Sequence, residues 1–222
     1  MVYLWTVLSA LIGYLLGCIP VGVFIARIYG NLDIRKTGSG NSGTTNVLRT
    51  LGWFPSVITL VGDCLKGVLG AWIGKLLGGE AGMLLGGFFA VLGHDFPVFM
   101  GFKGGKGIAT SLGITFVICT PVAPWLVVIV LAIVAVTRMM SVGSLVASLS
   151  YPVLFWIYLP EGANRTLYIV FAVAMMLLSI FCHRSNLQRI IRGEENKLDF
   201  GKITRISRDY MEKHRERRAK KK

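Results

Sequence analysis

The sequence predicts an all-α integral membrane protein with seven transmembrane helices, its N-terminus outside and its C-terminus in the cytoplasm. Three observations carry that prediction. The chain of 222 residues is 54% hydrophobic, with a mean hydropathy of +0.63. Its apolar runs reach or approach the roughly 18 residues that suggest a membrane helix. The net charge of +13 falls between those runs and, above all, in the C-terminal tail.

The elements follow in order. Residues 2–28 form an apolar run with no basic residue ahead of it, too long for a secretory leader, and read as a retained first span. Residues 54–77 and 81–100 read as the second and third. Residues 107–136 carry no charge, enough for one generous helix or for two short ones broken at "TPVAP", where Pro121 and Pro124 punctuate the chain. Charge decides between them. A single helix would put the basic tail opposite the basic loops 31–52 and 101–107, whereas two helices put every basic loop on one side. Runs 142–159 and 166–182 complete the seven. Loops 30–52 and 101–107 and the tail are thus expected in the cytoplasm, and 119–124 and 160–164 outside. Glycines four residues apart, Gly13 with Gly17 and Gly78 with Gly82, suit close helix contact.

Residues 1–202 read as one membrane domain and 203–222 as a basic cytoplasmic tail. Residues 184–222 carry 14 Lys or Arg against 6 Asp or Glu, and beside a membrane span such a run reads as an anchor on anionic headgroups, separable from any chemistry. A nucleic-acid partner is not expected, because the tail has no interleaved aromatics beyond Tyr210. Neither metal nor cofactor is expected. Cys18, Cys64, Cys119 and Cys182 are scattered through apolar segments, there are three histidines, and only five carboxylates precede the tail.

Against this background "GSGNSGTTN", residues 38–46, contains no aliphatic or aromatic side chain. Glycines and hydroxyls bring backbone N–H and O–H donors to close range, as an anion requires. A helix beginning near Thr45 would aim its N-terminus at the glycines, with Arg49 one turn along to supply a guanidinium. A second segment, "GHDFPVFMGFKGGKGIAT", places Lys103 and Lys106 around Gly104 and Gly105. It is not a Walker loop: Met100 stands where the first glycine belongs and Gly107 where the hydroxyl belongs. A phosphate-cradling turn with Lys106 as point charge fits it, while Lys103 reads as a lysine snorkelling at a helix end. In the third, "HRSNLQRIIRGEENK", His183, Asn186 and Arg189 recur every three residues along one helix face. Asp63 and Lys66 stand three apart inside an apolar run, as a structural ion pair or as a site wall. Ser144 lies just after Arg138, at the same level as these loops. No G-x-S-x-G elbow occurs, and Phe99, Gln188 and Ala219 stand five residues after the three histidines, so His-x-x-x-x-Asp is missing too.

Taken in order, GSGNxGxTN, GHxFPVFxxFKGGKGxAT and HRxNxxRxxxGxExK resemble the motifs of the bacterial acyl-phosphate-dependent glycerol-3-phosphate acyltransferases, the PlsY family. The likeness runs from "GCIPVG" through "DCLKG" to "GEENK"; Cys18 stands where the family often has Ser, and the tail is longer and more basic than the motif requires. The resemblance implies transfer of a fatty acyl group from acyl phosphate to the 1-hydroxyl of glycerol 3-phosphate, giving 1-acyl-glycerol 3-phosphate and phosphate, the first step of bacterial phospholipid synthesis. It implies a cytoplasmic (inner) membrane location with the active site on the cytoplasmic face, and a functional link to a soluble acyl-phosphate-producing enzyme. An activated donor removes the need for a protein nucleophile, consistent with the missing triad. Residue by residue, it implies that Ser39, Gly40, Asn41, Thr45, Asn46, Arg49, Gly104, Gly105 and Lys106 bind substrate phosphate. It further implies that Arg49, Lys106, Ser144, His183 and Asn186 serve catalysis, the last three by orienting glycerol 3-phosphate. For the hydroxyl proton the acceptor is a donor phosphate oxygen or His183, and the resemblance favours the phosphate. A transporter of phosphorylated metabolites is the rival reading, but Asp63 and Lys66 are too few deep charges to mark a route.

Overall fold

The computed structural model describes residues 2–159 and 161–219, with side chains described for 4–159 and 161–212. His214 and the last ten residues of the basic tail therefore fall outside the described side chains. Among the described residues there are ten α-helices and no strand. They are α1 (Val2–Gly17), α2 (Val21–Gly30), α3 (Thr44–Leu51), α4 (Trp53–Asp95), α5 (Ile108–Ile118), α6 (Val122–Thr137), α7 (Met140–Tyr158), α8 (Arg165–Cys182), α9 (Arg184–Ile191) and α10 (Phe200–Ala219). Four stretches are long and apolar enough to cross a membrane, namely Leu4–Gly30, Trp53–Met100, Met140–Tyr158 and Arg165–Cys182, with α5 and α6 as shorter apolar helices. The break expected at "TPVAP" is present: α5 stops at Ile118 and α6 starts at Val122. Pro124 lies in the first turn of α6, where a missing N–H breaks no helical bond.

At 43 residues, α4 is far longer than one span needs, and it is two helices. Gly78 and Gly79 leave helical geometry, Gly79 at φ +62°, where a side chain would be strained. The legs fold back on each other: a Cβ on Gly74 would strike the Gly82 carbonyl, and one on Gly86 the Gly70 carbonyl. Both pairings are centred on the Gly78–Gly79 turn, as an antiparallel hairpin demands. In α1, Gly13 and Gly17 lie against Gly86 and Ala90 in the same order, so α1 runs parallel to the second leg. Without a hydrophobic drive between helices in lipid, such backbone approach supplies the packing.

The chain forms two compact units, one from the stretches up to Ile19 and Asp63–Lys197, the other from Pro20–Gly62 and the stretch from Leu198. In the first, α6 packs on α7 and α7 on α8, around a buried core that includes Met83, Ile114, Leu126, Phe155, Phe171 and Met175. Outward side chains such as Leu131, Val136 and Trp156 are exposed and apolar, as a lipid-facing surface requires. In the second, α3 packs on α2 and α10 packs on α3. The first turns of the basic tail pack within this unit. Ile203 is buried, Ser207 Oγ accepts from the Trp53 N–H at 3.0 Å, and the Tyr210 ring lies 5.9 Å from that of Tyr29.

Candidate active site

In the second unit, residues 33–46 make a compact polar loop organised by one side chain. Asn46, 1% exposed, donates through Nδ2 to the carbonyls of Ile34, Thr37 and Asn41 at 3.0, 3.0 and 2.8 Å, and its Oδ1 accepts from the Ser39 N–H at 2.9 Å. Asn41 Oδ1 accepts from the Gly43 N–H at 2.8 Å, forming an Asx turn at the N-cap of α3. Gly38 and Gly40 take positive φ, and a Cβ on Gly38 would strike Asn46 Oδ1. Below them Asp33 caps a 3-10 turn (Ile34–Lys36); its carboxyl is lowered to about 2 by hydrogen bonds from the Arg35 side chain and backbone. Ser39 and Gly40 are exposed at the crest, Thr45 is half-buried at the start of α3, and Arg49 is half-buried in its last turn.

In the first unit, the loop between α4 and α5 returns onto the end of α4. Gly104 N–H donates to the Asp95 carbonyl at 3.1 Å and Gly105 N–H to the His94 carbonyl at 3.0 Å, so these two donors are engaged within the protein. What the glycines then offer is clearance, because a Cβ on either would collide with His94. Lys106 follows, and its Nζ donates to Asn186 Oδ1 on α9. Asn186 Nδ2 donates to Glu195 Oε1 at 2.8 Å, which also accepts from Ser141 Oγ at 2.9 Å, while Oε2 accepts from Arg189 Nε at 2.9 Å. Burial alone would raise the Glu195 pKa, but the hydrogen bonds from Asn186, Ser141 and Arg189 outweigh it and hold the carboxyl below its usual range. A chain Lys106–Asn186–Glu195 therefore fixes the ammonium from behind. Lys103 is exposed and Lys106 half-buried.

His183, 2% exposed, caps α8 and brings its Nδ1 2.8 Å from the Ser179 carbonyl. A carbonyl can only accept, so Nδ1 carries the proton and Nε2 keeps its lone pair. Burial, and then the nearby Lys106 charge, push its pKa down to about 4, so the ring is neutral near pH 7. Ser144 is buried on α7 and its carbonyl accepts from Ser148 Oγ at 2.8 Å. Beneath the loop, Asp63 Oδ1 lies 3.0 Å from Lys66 Nζ, the pair read from the sequence, and 3.4 Å from His94 Nδ1.

Within the first unit, then, the fold joins Lys106 directly to Asn186, and the second unit gathers Ser39, Asn41 and Asn46 into one loop. Sequence reasoning did not single out Glu195, Ser141 or His94. Glu195 and His94 had a signal as fixed positions of the third and second motifs; Ser141 had none, since its partner lies 54 positions away.

The chain matches the family model described as glycerol-3-phosphate acyltransferase over residues 7–193. It is 41% identical over 202 residues to a glycerol-3-phosphate acyltransferase of Thermoanaerobacter sp. (strain X514), covering 88% of this chain and 96% of that one. To that of Jannaschia sp. (strain CCS1) it is 43% identical over 192 residues, covering 86% and 92%. Among solved structures it is similar to PlsY (YgiH), an integral membrane glycerol 3-phosphate acyltransferase. The glycerol 3-phosphate form gives a TM-score of 0.81 at 34% identity, covering 90% of this chain and 98% of that one. The lysophosphatidic acid form gives 0.79 at 33%.

Proposed function

The chain belongs to the glycerol-3-phosphate acyltransferase family, and from that premise we propose that it acylates the 1-hydroxyl of sn-glycerol 3-phosphate with acyl phosphate as donor, giving lysophosphatidic acid and phosphate. The relatives bear the name of the acyltransferase activity, and the PlsY structures include forms with glycerol 3-phosphate and with lysophosphatidic acid. The observation that carries the residue-level reading is the chain from Lys106 through Asn186 to Glu195.

The glycerol 3-phosphate hydroxyl oxygen attacks the acyl carbonyl carbon, the new C–O bond forms, and the bond to the phosphate oxygen breaks with its electron pair leaving on phosphate. Charge grows on that leaving phosphate. Lys106, already fixed by Asn186, stabilises it without reorganising at the moment of reaction. Arg49 neutralises phosphate through its guanidinium fork, and the exposed crest at Ser39 and Gly40, with Asn41 and Thr45, lets phosphate approach the backbone. In this reading Asn46 acts by holding that crest in shape, and Gly104 and Gly105 by leaving room beside Lys106. Ser144 and Asn186 orient glycerol 3-phosphate, and His183 Nε2 accepts a hydrogen bond from it. Burial and the Lys106 charge make His183 a poor base, so in this reading the hydroxyl proton goes to a phosphate oxygen of the donor.

The chain is read as crossing the cytoplasmic membrane of a bacterium seven times: Leu4–Gly30, the two legs of α4, then α5, α6, α7 and α8, with the N-terminus outside and the active site on the cytoplasmic face. Residues 1–202 carry the chemistry, and the basic residues of 203–222 meet anionic headgroups. A soluble acyl-phosphate-producing enzyme would supply the donor.

The test is an assay of purified protein with labelled glycerol 3-phosphate and either acyl phosphate or an acyl thioester. Labelled lysophosphatidic acid is expected with acyl phosphate alone. Product only with thioester would keep the reaction and remove the donor; no product with either would contradict the proposal.

A further inference from the structure

Beyond its place at the end of α4, His94 is built into a rigid stack whose top is the glycine next to Lys106. The Gly105 N–H donates to the His94 carbonyl at 3.0 Å, and the imidazole lies beneath the same glycine, so that a Cβ on Gly105 would run into its Nε2 edge. The opposite edge, Nδ1, lies 3.4 Å from Asp63 Oδ1. Asp63 in turn is 3.0 Å from Lys66 Nζ, which donates to the Ile19 carbonyl at 3.0 Å. Asp63, Lys66 and His94 are 1%, 4% and 8% exposed. Space filling does not explain this trio, since apolar side chains of the same volume commonly pack as well as buried ions or better. What a carboxylate beside Nδ1 adds is direction: at 3.4 Å, without a hydrogen bond between them, the contact turns the Nδ1 edge toward Asp63 and leaves the Nε2 edge as the floor under Gly105.

We infer that His94 is a positioning residue for the reaction, its ring aimed by Asp63 and Lys66 so that Gly105 rests on it and Lys106 is presented to Asn186 and to the leaving phosphate. The inference rests on the role proposed for Lys106. It makes Gly105 and His94 a coupled pair, in which crowding from one side is relieved by trimming the other.

The test measures kcat and KM per folded enzyme, with folding followed by thermal transition, for wild type, Lys106→Ala, Gly105→Ala, His94→Asn and the double variant. His94→Asn keeps an amide toward Asp63 and removes the Nε2 edge. Gly105→Ala alone should lose about a hundredfold in kcat, comparable to losing one transition-state donor. His94→Asn should lose about tenfold in kcat, with KM for either substrate changed less than about threefold, because the lysine is tilted and not removed. The double variant should regain about tenfold over Gly105→Ala, which a loss of stability would not produce. A folded double variant no better than Gly105→Ala overturns the inference. So does a folded Gly105→Ala with wild-type kcat, even where His94→Asn does not accumulate. If Lys106→Ala itself turns over like wild type, the acyl-transfer role of the lysine fails, and the inference with it.

Discussion

The two loops assigned to phosphate are held by opposite means. The loop at residues 38–46 is organised from within, since Asn46 ties it to carbonyls no more than 12 positions away. The loop at 104–107 is held from outside. Its glycines hang on the carbonyl ends of α4, and its lysine is gripped by Asn186, 80 positions on, which Glu195 holds in turn. A self-contained loop keeps its shape wherever its helix goes, whereas a loop suspended from distant elements transmits their placement to the ammonium. In the proposed mechanism one offers phosphate a surface, and the other sets the position of a charge.

Changes to the suspended loop should break catalysis hardest. Lys106→Ala should lower kcat at least about a hundredfold in steady-state assays, while Lys103→Ala, at an exposed site, should cost little. Next comes the grip: Glu195→Gln keeps its shape but loses the charge that holds Asn186 and Arg189, and should lower kcat about tenfold with KM nearly unchanged. The self-contained loop should fail as a fold. Asn46→Asp keeps the acceptor for Ser39 but removes the amide that donates to the Ile34, Thr37 and Asn41 carbonyls and sets a carboxylate against them, and should destabilise by about 2 kcal/mol or more, read as a lower thermal transition.

Acid should act through His183. Its pKa is depressed in the folded protein to about 4 from an ordinary value near 6.5, so below pH 6.5 the unfolded chain takes up a proton that the folded one refuses. The thermal transition should therefore fall as pH drops from about 6.5 toward 4, and fall less in His183→Gln. The smallest effect belongs to α10: Ser207→Ala removes the acceptor for Trp53 N–H, a partly solvated bond worth about 1 kcal/mol, and should lower the transition slightly.

Much of the fold was legible because lipid imposes long apolar runs. The break at "TPVAP" was visible in two prolines, and the α4 hairpin in "GGEA" between two apolar runs. The start of α3 could be placed near Thr45 because glycines and hydroxyls stop abruptly at Asn46. The site was legible as motifs and not as contacts. Asn46 looked like a ligand because an amide at the end of a glycine- and hydroxyl-rich loop can face either way; only the return of residues 34–37 beneath it shows which carbonyls it reaches. Asp63 and Lys66 could be paired from their three-residue spacing, but His94 joins them across the hairpin, beyond any local periodicity. The tail read as charge alone, since nothing in its run of basic residues announces that Ile203 and Ser207 pack inward.

The proposed reaction is carbonyl attack with phosphate as leaving group, stabilised by Lys106. The direct measurement uses acyl phosphate labelled with heavy oxygen at the bridge between carbon and phosphorus, turned over by the wild-type protein with glycerol 3-phosphate. All the bridging label is expected to emerge in inorganic phosphate, one phosphate for each lysophosphatidic acid formed. Label appearing in a fatty carboxylate, or product formed without phosphate release, would contradict it.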